Sequence, residues 1–211
     1  MKKNIDTLDF ILDKYNIGDQ KFPVNLPYKR WDRIPKLIRE LGFAAGAEIG
    51  VKKGRFARNI CRYNPQLSLY GVDVWEIYQD YDGLPLVNQE IMLSYYGKAQ
   101  EILKPYKVKL IKAFSMDAVR EFADESLDFV YIDANHKYEY CVEDIREWSR
   151  KVRKGGLVAG HDYYNGLRAD FGGMQTNYGI KRAVDEWVEK NSIKYLFILA
   201  GDEMPTWMYV K

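Results

Sequence analysis

Apolar and polar residues change their spacing once along the chain, and the change separates an N-terminal part from the rest. In residues 6–15 and 31–41, apolar positions recur at intervals of three and four, which predicts two amphipathic helices. Residues 16–30 between them contain glycine and proline, and we interpret them as a loop. We therefore treat residues 1–43 as an N-terminal helical extension that packs on a domain formed by residues 44–211.

In that domain, short apolar runs alternate with stretches of helical spacing, which predicts βαβ units and a parallel sheet with helices on both faces. The predicted strands are 45–51, 67–75, 108–114, 127–134 and 157–160, and the predicted helices are 55–63, 86–103, 116–122, 139–152 and 180–190. Two last strands, 195–200 and 207–211, are joined by a short link, so we expect them to pair antiparallel. The pattern predicts an α/β fold whose mostly parallel sheet ends in an antiparallel hairpin.

Composition excludes several classes of protein. The formal net charge is only +2 and no basic face is concentrated, so we expect no nucleic-acid partner. No apolar run reaches the length of a membrane span, so we expect no membrane partner. Charges interrupt the first apolar stretch, unlike in a signal peptide, and two cysteines are too few for a disulfide framework. A cytoplasmic protein is the expectation that follows.

Candidate site residues follow the predicted strands, because open α/β sheets bind ligands beyond the carboxyl ends of their strands. The first strand ends with Glu48, Gly50 and Gly54, and two such glycines let the backbone turn tightly and approach a ligand closely. The second strand ends at Asp73, where an acid suits the two hydroxyls of a ribose. This arrangement predicts a nucleoside-containing ligand.

The two histidines of the chain each lie near an aspartate just past a predicted strand. His136 follows Asp133 by three residues, and His161 directly precedes Asp162. An imidazole there can take a proton from a substrate hydroxyl, and the carboxylates can hold a hard cation. His136 is the preferred base and His161 the second. His136 could instead pack at the start of the next helix, and the His161–Asp162 pair could hold the loop that follows.

Several segments resemble the class I S-adenosylmethionine-dependent methyltransferases. AEIGVKKGRFARNI resembles their glycine loop, GVDVW their ribose-binding motif and FSMDA the segment that flanks the adenine. DFVYIDANHKYEYCVEDIREWSRKVRKGGLVAGHDY is the most specific stretch, and it is similar to the small family that includes macrocin O-methyltransferase-like enzymes. It is more distantly similar to the catechol-type O-methyltransferases. The resemblance covers about residues 44–211 and implies a Rossmann-like, seven-stranded sheet and methylation of an oxygen on a small molecule or sugar.

Carried over residue by residue, the resemblance implies roles for the strand-end residues. Glu48, Gly50 and Gly54 would line the methionine part of S-adenosylmethionine, Asp73 would bind its ribose, Ser115 and Met116 would border its adenine, and Val51, Val74 and Asp133 would complete the cofactor site. Asp133 would lie next to the sulfonium and take part in catalysis with His136 and His161. Mg²⁺, if the enzyme uses it, would bind Asp133, Asp162 and His161, although the catechol-type enzymes have an acid–amide pair where this chain has His161-Asp162.

Other interpretations stay open at this point. A nicotinamide-dependent oxidoreductase would use a similar sheet, but its loop normally has the spacing Gly-x-Gly-x-x-Gly, which this chain lacks. A non-catalytic module that binds the cofactor is the third candidate function. Trp75, Tyr78 and Tyr81 could anchor their loop or face the adenine, and residues 163–178 could form a binding loop, a lid or a surface excursion. For partners we expect a small-molecule or sugar acceptor and allow for a homodimer.

Overall fold

The computed structural model describes residues 6–18, 22–78, 87–169 and 175–211. In these residues, helices α1 to α7 span Thr7–Lys14, Arg30–Glu40, Arg55–Tyr63, Gln89–Leu103, Ser115–Ala118, Tyr138–Lys151 and Ile180–Lys190. Strands β1 to β10 span Val24–Leu26, Ala45–Ile49, Ser68–Asp73, Val108–Lys112, Leu127–Ile132, Val152–Gly160, Gly166–Ala169, Gln175–Tyr178, Phe197–Leu199 and Thr206–Val210. None of the described helices is both long enough and apolar enough to cross a membrane.

The main sheet has the strand order β1-β9-β10-β6-β5-β2-β3-β4. Strands β6, β5, β2, β3 and β4 run parallel to one another, whereas β10 pairs antiparallel with both β6 and β9. The predicted α/β class, the mostly parallel sheet and the terminal antiparallel hairpin are therefore confirmed. The strands that carry Glu48 and lead to Asp133 are neighbours in the middle of the sheet, since Glu48 pairs with Tyr131 and Ile49 with Ile132.

An additional strand lies in a segment that the sequence predicts to be a loop. Strand β1 pairs in parallel with β9, with Val24 opposite Phe197, so the sheet has eight strands rather than seven. Val24 and Leu26 are buried and Asn25 is exposed, which is the alternation of an edge strand. Strand β1 has only three residues between two prolines, and proline at both ends hides a strand signal. The N-terminal extension thus contributes a strand as well as two helices.

The sheet separates two hydrophobic clusters. Along β5, Phe129 and Tyr131 belong to one cluster, and Val130 and Ile132 belong to the other. Because successive side chains of a strand point to opposite faces, helices cover both faces of the sheet. Helices α1 to α4 contribute Ile11, Leu37, Ile60 and Ala99 to the first cluster, and α5 to α7 contribute Ala118, Ile145 and Val184 to the second. Ile11 of α1 and Leu37 of α2 therefore pack in the same cluster as Phe129 and Tyr131 of the sheet.

The segment 163–178 contains a small antiparallel ribbon rather than an irregular loop. Strands β7 and β8 pair from Gly166 opposite Tyr178 to Ala169 opposite Gln175. The Tyr178 ring stacks on the imidazole of His136 at a centroid distance of 4.5 Å. The base of this ribbon therefore touches one of the candidate catalytic histidines.

Candidate active site

A cavity of about 780 Å³ lies at the carboxyl edge of the parallel strands. Because β2, β3, β5 and β6 run in the same direction, the residues that follow them meet at this edge. Of the predicted site residues, those that line the cavity are Glu48, Gly50, Val51, Asp73, Val74, Ser115, Met116, Asp133, His136, His161 and Asp162. A volume of this size suits a cofactor together with a small acceptor.

Gly50 lets the β2 loop pass close to the neighbouring strand. Its φ of +91° is in the left-handed region, and a Cβ there would lie 1.9 Å from the carbonyl oxygen of Asp133. The Asp133 N–H donates to the Ile49 carbonyl at 2.7 Å, which fixes the approach of the two chains. Gly54, in contrast, does not line the cavity: it caps α3 at φ +71° and packs against Leu103 of α4. Gly54 thus connects α3 with α4, and its predicted place along the cofactor stays a prediction.

Asp73 connects the two loops that enclose one end of the cavity. Its Oδ2 accepts a hydrogen bond from the Lys52 N–H at 2.8 Å, and its Oδ1 accepts one from the Trp75 N–H at 3.0 Å. Burial raises the pKa of Asp73, and these backbone N–H groups act in the opposite direction. The buried Trp75 indole donates to the Lys52 carbonyl, so Trp75 anchors its loop. Each carboxylate oxygen keeps a lone pair that two ribose hydroxyls can use.

Replacing Asp73 with alanine is expected to weaken binding of the demethylated cofactor, S-adenosylhomocysteine, by about tenfold to a hundredfold. The reason is that a carboxylate accepting hydroxyl hydrogen bonds contributes more than a neutral acceptor does. Isothermal titration calorimetry measures the change, and Asp73→Asn, which keeps one oxygen acceptor, should have an intermediate effect. An unchanged dissociation constant for Asp73→Ala would exclude the ribose role.

The segment that follows β4, the strand next to Asp73, carries the residues that the resemblance assigns to the adenine. The Trp148 indole donates to Ser115 Oγ at 2.8 Å, and this hydroxyl donates in turn to Asp144. Burial raises the pKa of the Asp144 carboxyl to about 7. Tyr78 lines the cavity, and its ring packs edge to face against that of Phe114 with the ring centroids 5.4 Å apart. Tyr81 lies outside the described residues, and the adenine roles of Ser115 and Met116 stay predictions.

Asp162 lies between the two histidines of the chain. His136 Nε2 is 3.0 Å from Asp162 Oδ2, and His161 Nδ1 is 2.8 Å from Asp162 Oδ1. Burial by itself raises the pKa of Asp162, but the hydrogen bonds and charges of both histidines outweigh burial and hold this pKa well below its usual value. Asp162 is therefore ionised. When Nδ1 of His161 carries the hydrogen that faces Asp162 and the ring is neutral, Nε2 is left as an acceptor, and no described residue forms a hydrogen bond with that atom.

Arg30 is a site residue that the sequence analysis missed. Its Nη1 lies 2.8 Å from Asp133 Oδ2 and 3.1 Å from the Tyr131 hydroxyl. The Arg30 backbone N–H donates to Asp202 Oδ2 at 2.7 Å, so a loop between β9 and β10 fixes the start of α2. The ion pair joins residues that are 103 positions apart, and no local pattern in the sequence could have predicted it.

Glu48 is buried at the centre of the cavity wall. Only 2% of its surface is exposed, and its Oε2 has no hydrogen-bond partner among the described residues. Burial and the neighbouring charge of Asp133 raise the pKa of Glu48 well above its ordinary value, and the charge of Arg30 opposes that rise. Arg30, Glu48 and Asp133 therefore form one electrostatic group on the cavity wall.

Asp133, His136 and Asp162 form the one cluster of potential metal ligands found among the described residues. One ligand atom from each lies within 4.8 Å of the others. His161 Nδ1 is 3.9 Å from Asp133 Oδ1, so the predicted set of Asp133, Asp162 and His161 is also brought together. Arg30 and the two imidazoles contact three of the four carboxylate oxygens of Asp133 and Asp162, whereas Asp133 Oδ1 is 3.9 Å from His161 Nδ1.

Solved structures with a similar fold include several methyltransferases. A candidate caffeoyl-CoA O-methyltransferase from Staphylococcus aureus has a TM-score of 0.61 and 15% identity, covering 99% of this chain and 94% of that chain. An O-methyltransferase from Bacillus cereus in complex with S-adenosylhomocysteine has a TM-score of 0.60 and 12% identity, and the alignment covers 100% of this chain and 93% of that chain. An O-methyltransferase family protein from Burkholderia thailandensis has a TM-score of 0.57 and 13% identity, and the alignment covers 84% of this chain and 55% of that chain. The TM-scores show that this chain shares its fold with these proteins, and at such low identities the similarity shows the fold alone.

Comparison of the sequence with known families gives a more specific result. A search of curated protein sequences finds no match. The sequence model of the family described as "Methyltransferase domain" matches residues 47–163, which is more than half of the chain. This match includes the β2 loop, Asp73, Asp133 and the histidine–aspartate pair, and it does not favour a nicotinamide-dependent oxidoreductase. The resemblance to class I S-adenosylmethionine-dependent methyltransferases is confirmed, and the chain belongs to the methyltransferase-domain family.

Proposed function

We propose that this methyltransferase transfers the methyl group of S-adenosylmethionine to a hydroxyl oxygen of a small molecule or sugar. The observation that carries the proposal is the His161–Asp162 pair, which presents an imidazole acceptor atom on the cavity wall. A hydroxyl must lose its proton to become a good nucleophile, so a base at this place favours an oxygen acceptor. The Bacillus cereus and Staphylococcus aureus neighbours are described as O-methyltransferases, which supports the same choice.

The residues that line the cavity suit the cofactor. Gly50 lets the β2 loop pack directly against the Asp133 backbone, which places both on the cavity wall, and Asp73 offers acceptors for the ribose. Glu48 keeps an unpaired carboxyl oxygen that suits a cation. When bound, S-adenosylmethionine supplies a methyl group on a positively charged sulfur, which needs no further activation by the protein. The task of the chain is therefore to orient the acceptor, exclude water and remove one proton.

His161 is the base in this mechanism. The acceptor hydroxyl would donate to His161 Nε2 and give up its proton there. The methyl carbon would exchange its bond to sulfur for a bond to the acceptor oxygen, and the electron pair of the broken bond would stay on the sulfur of S-adenosylhomocysteine. Asp162, which accepts the hydrogen bond from His161 Nδ1, fixes the tautomer and stabilises the imidazolium that forms. His136, the base preferred from sequence, has its Nε2 against Asp162 and its ring against Tyr178. We propose that His136 orients Asp162, and that Asp133 provides negative charge beside the sulfonium.

Mg²⁺ on Asp133, Asp162 and His161 stays a prediction, and the donor set fits it poorly. Mg²⁺ prefers a nearly octahedral set of oxygens, whereas this cluster contributes two carboxylates and imidazole nitrogens. An ion would also compete with Arg30 and the imidazoles for the negative charge of these carboxylates. We therefore assign no step of the mechanism to a metal.

The test is a transfer assay with radiolabelled S-adenosylmethionine and a panel of phenols, sugars and amines, with and without a chelator. We expect O-methylated products, identified by mass spectrometry, and turnover that persists in the chelator. N-methylated products alone would contradict the oxygen acceptor. Loss of turnover in the chelator, restored by Mg²⁺, would contradict the unaided base and support the metal prediction.

A further inference from the structure

We propose that Lys52, Lys53 and Arg55 bind a phosphate or diphosphate group carried by the methyl acceptor. The proposal rests on the proposed function, because it concerns the acceptor that enters the same cavity. These three residues, which we call the basic rim, follow β2 and line the cavity. The basic rim would select acceptors by a charged group that does not itself react.

The cations of the basic rim have no carboxylate partners. No ammonium group of Lys52 or Lys53 and no guanidinium nitrogen of Arg55 forms an ion pair with any residue in the described part of the chain. Helix α3 begins at Arg55 and has no acidic residue in its first turn. Arg30 differs, because it lines the same cavity but is already paired with Asp133. The positive charge of the basic rim therefore remains available to a ligand.

The two lysines of the basic rim direct their ammonium groups to the same aromatic ring. Lys53 Nζ lies 4.3 Å and Lys52 Nζ lies 6.0 Å from the ring centroid of Tyr95, which also lines the cavity. Lys52 has a φ of +51°, a left-handed conformation that is uncommon for a residue with a side chain. Two like charges gathered at one ring repel each other, and an anion held between them would attract both.

Backbone hydrogen bonds fix the loop that carries the basic rim. The Lys52 N–H donates to Asp73 Oδ2 at 2.8 Å, and the Lys52 carbonyl accepts from the Trp75 indole at 2.8 Å. The Gly54 N–H donates to the Val51 carbonyl at 2.8 Å and closes the turn between them. A loop that is already ordered loses little conformational entropy when a ligand binds, so the basic rim is preorganised.

The position of the basic rim indicates the shape of the acceptor. Strand β2, which leads to the rim, and strand β6, which leads to His161, are separated by β5. Neighbouring strands lie about 4.8 Å apart, so the two strand ends are about 10 Å apart. Several cations complement a group with more than one negative charge better than a single carboxylate. We therefore expect a phosphate or diphosphate well separated from the reacting hydroxyl, as in a sugar linked to a nucleoside diphosphate.

Calorimetry with pyrophosphate, on protein saturated with S-adenosylhomocysteine, tests the site without any methyl acceptor. The rim variant Lys53→Met/Arg55→Met should weaken pyrophosphate binding by about tenfold or more. The matched control Arg58→Met/Arg62→Met removes two exposed cations of α3 that do not line the cavity, and it should change this affinity by less than about twofold. Both variants should bind S-adenosylhomocysteine as the unmodified protein does, which shows that the cavity is intact.

Transfer assays with a free sugar, its phosphate ester and its nucleoside-diphosphate ester provide the second readout. The esters should have a lower KM than the free sugar, and the rim variant should raise the KM of the esters by about tenfold or more while kcat changes little. Such a division is expected because the rim holds a group that takes no part in the methyl transfer.

Several results would overturn the proposal. They are no pyrophosphate binding by the unmodified protein, equal pyrophosphate affinity in the rim variant, and an anion site that gives the esters no lower KM. Weaker binding of S-adenosylhomocysteine to the rim variant would place the cations at the cofactor instead. Transfer to amines alone, with pyrophosphate binding still lost in the rim variant, would overturn the oxygen acceptor of the proposed function and leave the anion site in place.

Discussion

Replacing His161 with glutamine is expected to reduce methyl transfer to an oxygen acceptor by about a hundredfold to ten-thousandfold, the usual contribution of a general base. Glutamine keeps a polar side chain of similar length but cannot take the proton of the acceptor. Because His161 is assigned to the acceptor and not to the cofactor, the affinity for S-adenosylhomocysteine should stay the same. Steady-state rates and calorimetry on the same preparation measure both quantities.

Substitutions of the neighbouring residues Asp162 and His136 show whether the loss of turnover is specific to His161. Asp162→Asn should also reduce turnover strongly, since the imidazolium loses its charged partner. His136→Gln should have a smaller effect if His136 only orients Asp162. A variant His161→Gln with nearly full activity, together with an inactive His136→Gln, would show that the base is His136, as the sequence pattern favours.

Replacing Gly50 with alanine is expected to destabilise the fold by about 2–5 kcal/mol and to abolish cofactor binding. A Cβ at this position would lie 1.9 Å from the carbonyl oxygen and 2.4 Å from the carbonyl carbon of Asp133. These are backbone atoms of a central strand end, which cannot move aside as the tip of a flexible side chain can. The φ of +91° adds strain for any residue with a Cβ.

Urea unfolding measures the effect, and Gly97→Ala is its control. Gly97 lies within α4, and a Cβ there would meet no atom within 4 Å. Alanine in a helix is favoured over glycine by about 1 kcal/mol, so Gly97→Ala should be neutral or slightly stabilising. If Gly50→Ala unfolded at the same urea concentration as the unmodified protein, the close approach of the β2 loop to Asp133 would be contradicted.

The parallel centre of the sheet could be predicted from sequence because buried strands are nearly continuous apolar runs. The same reasoning missed β1, whose three residues are too few to show alternation and lie next to Pro23 and Pro27. It also missed β7 and β8, whose sequences are mostly polar and lack periodicity. Residues 116–122 were predicted to be one helix but form the short α5 and a 3₁₀ turn at Val119–Glu121. Short elements are specified by contacts that are distant in sequence.

In the candidate site too, some residues could be predicted from the sequence and others could not. Asp73, Asp133 and His161 could be predicted because parallel strands bring their carboxyl ends to one edge. Arg30 could not, since its place depends on how α2 packs and on Asp202, far along the chain. Nor could the sequence distinguish the tasks of Gly50 and Gly54. Both have positive φ, but only Gly50 lines the cavity.

A crystal structure of this chain grown with S-adenosylhomocysteine and Mg²⁺ tests the central claim most directly. The account predicts the ribose hydroxyls at Asp73 and His161 Nε2 facing the open space beside the sulfur. It also predicts that the Arg30–Asp133 ion pair persists. A ligand bound away from Asp73, or an ion held by Asp133 and Asp162 with Arg30 displaced, would contradict the account.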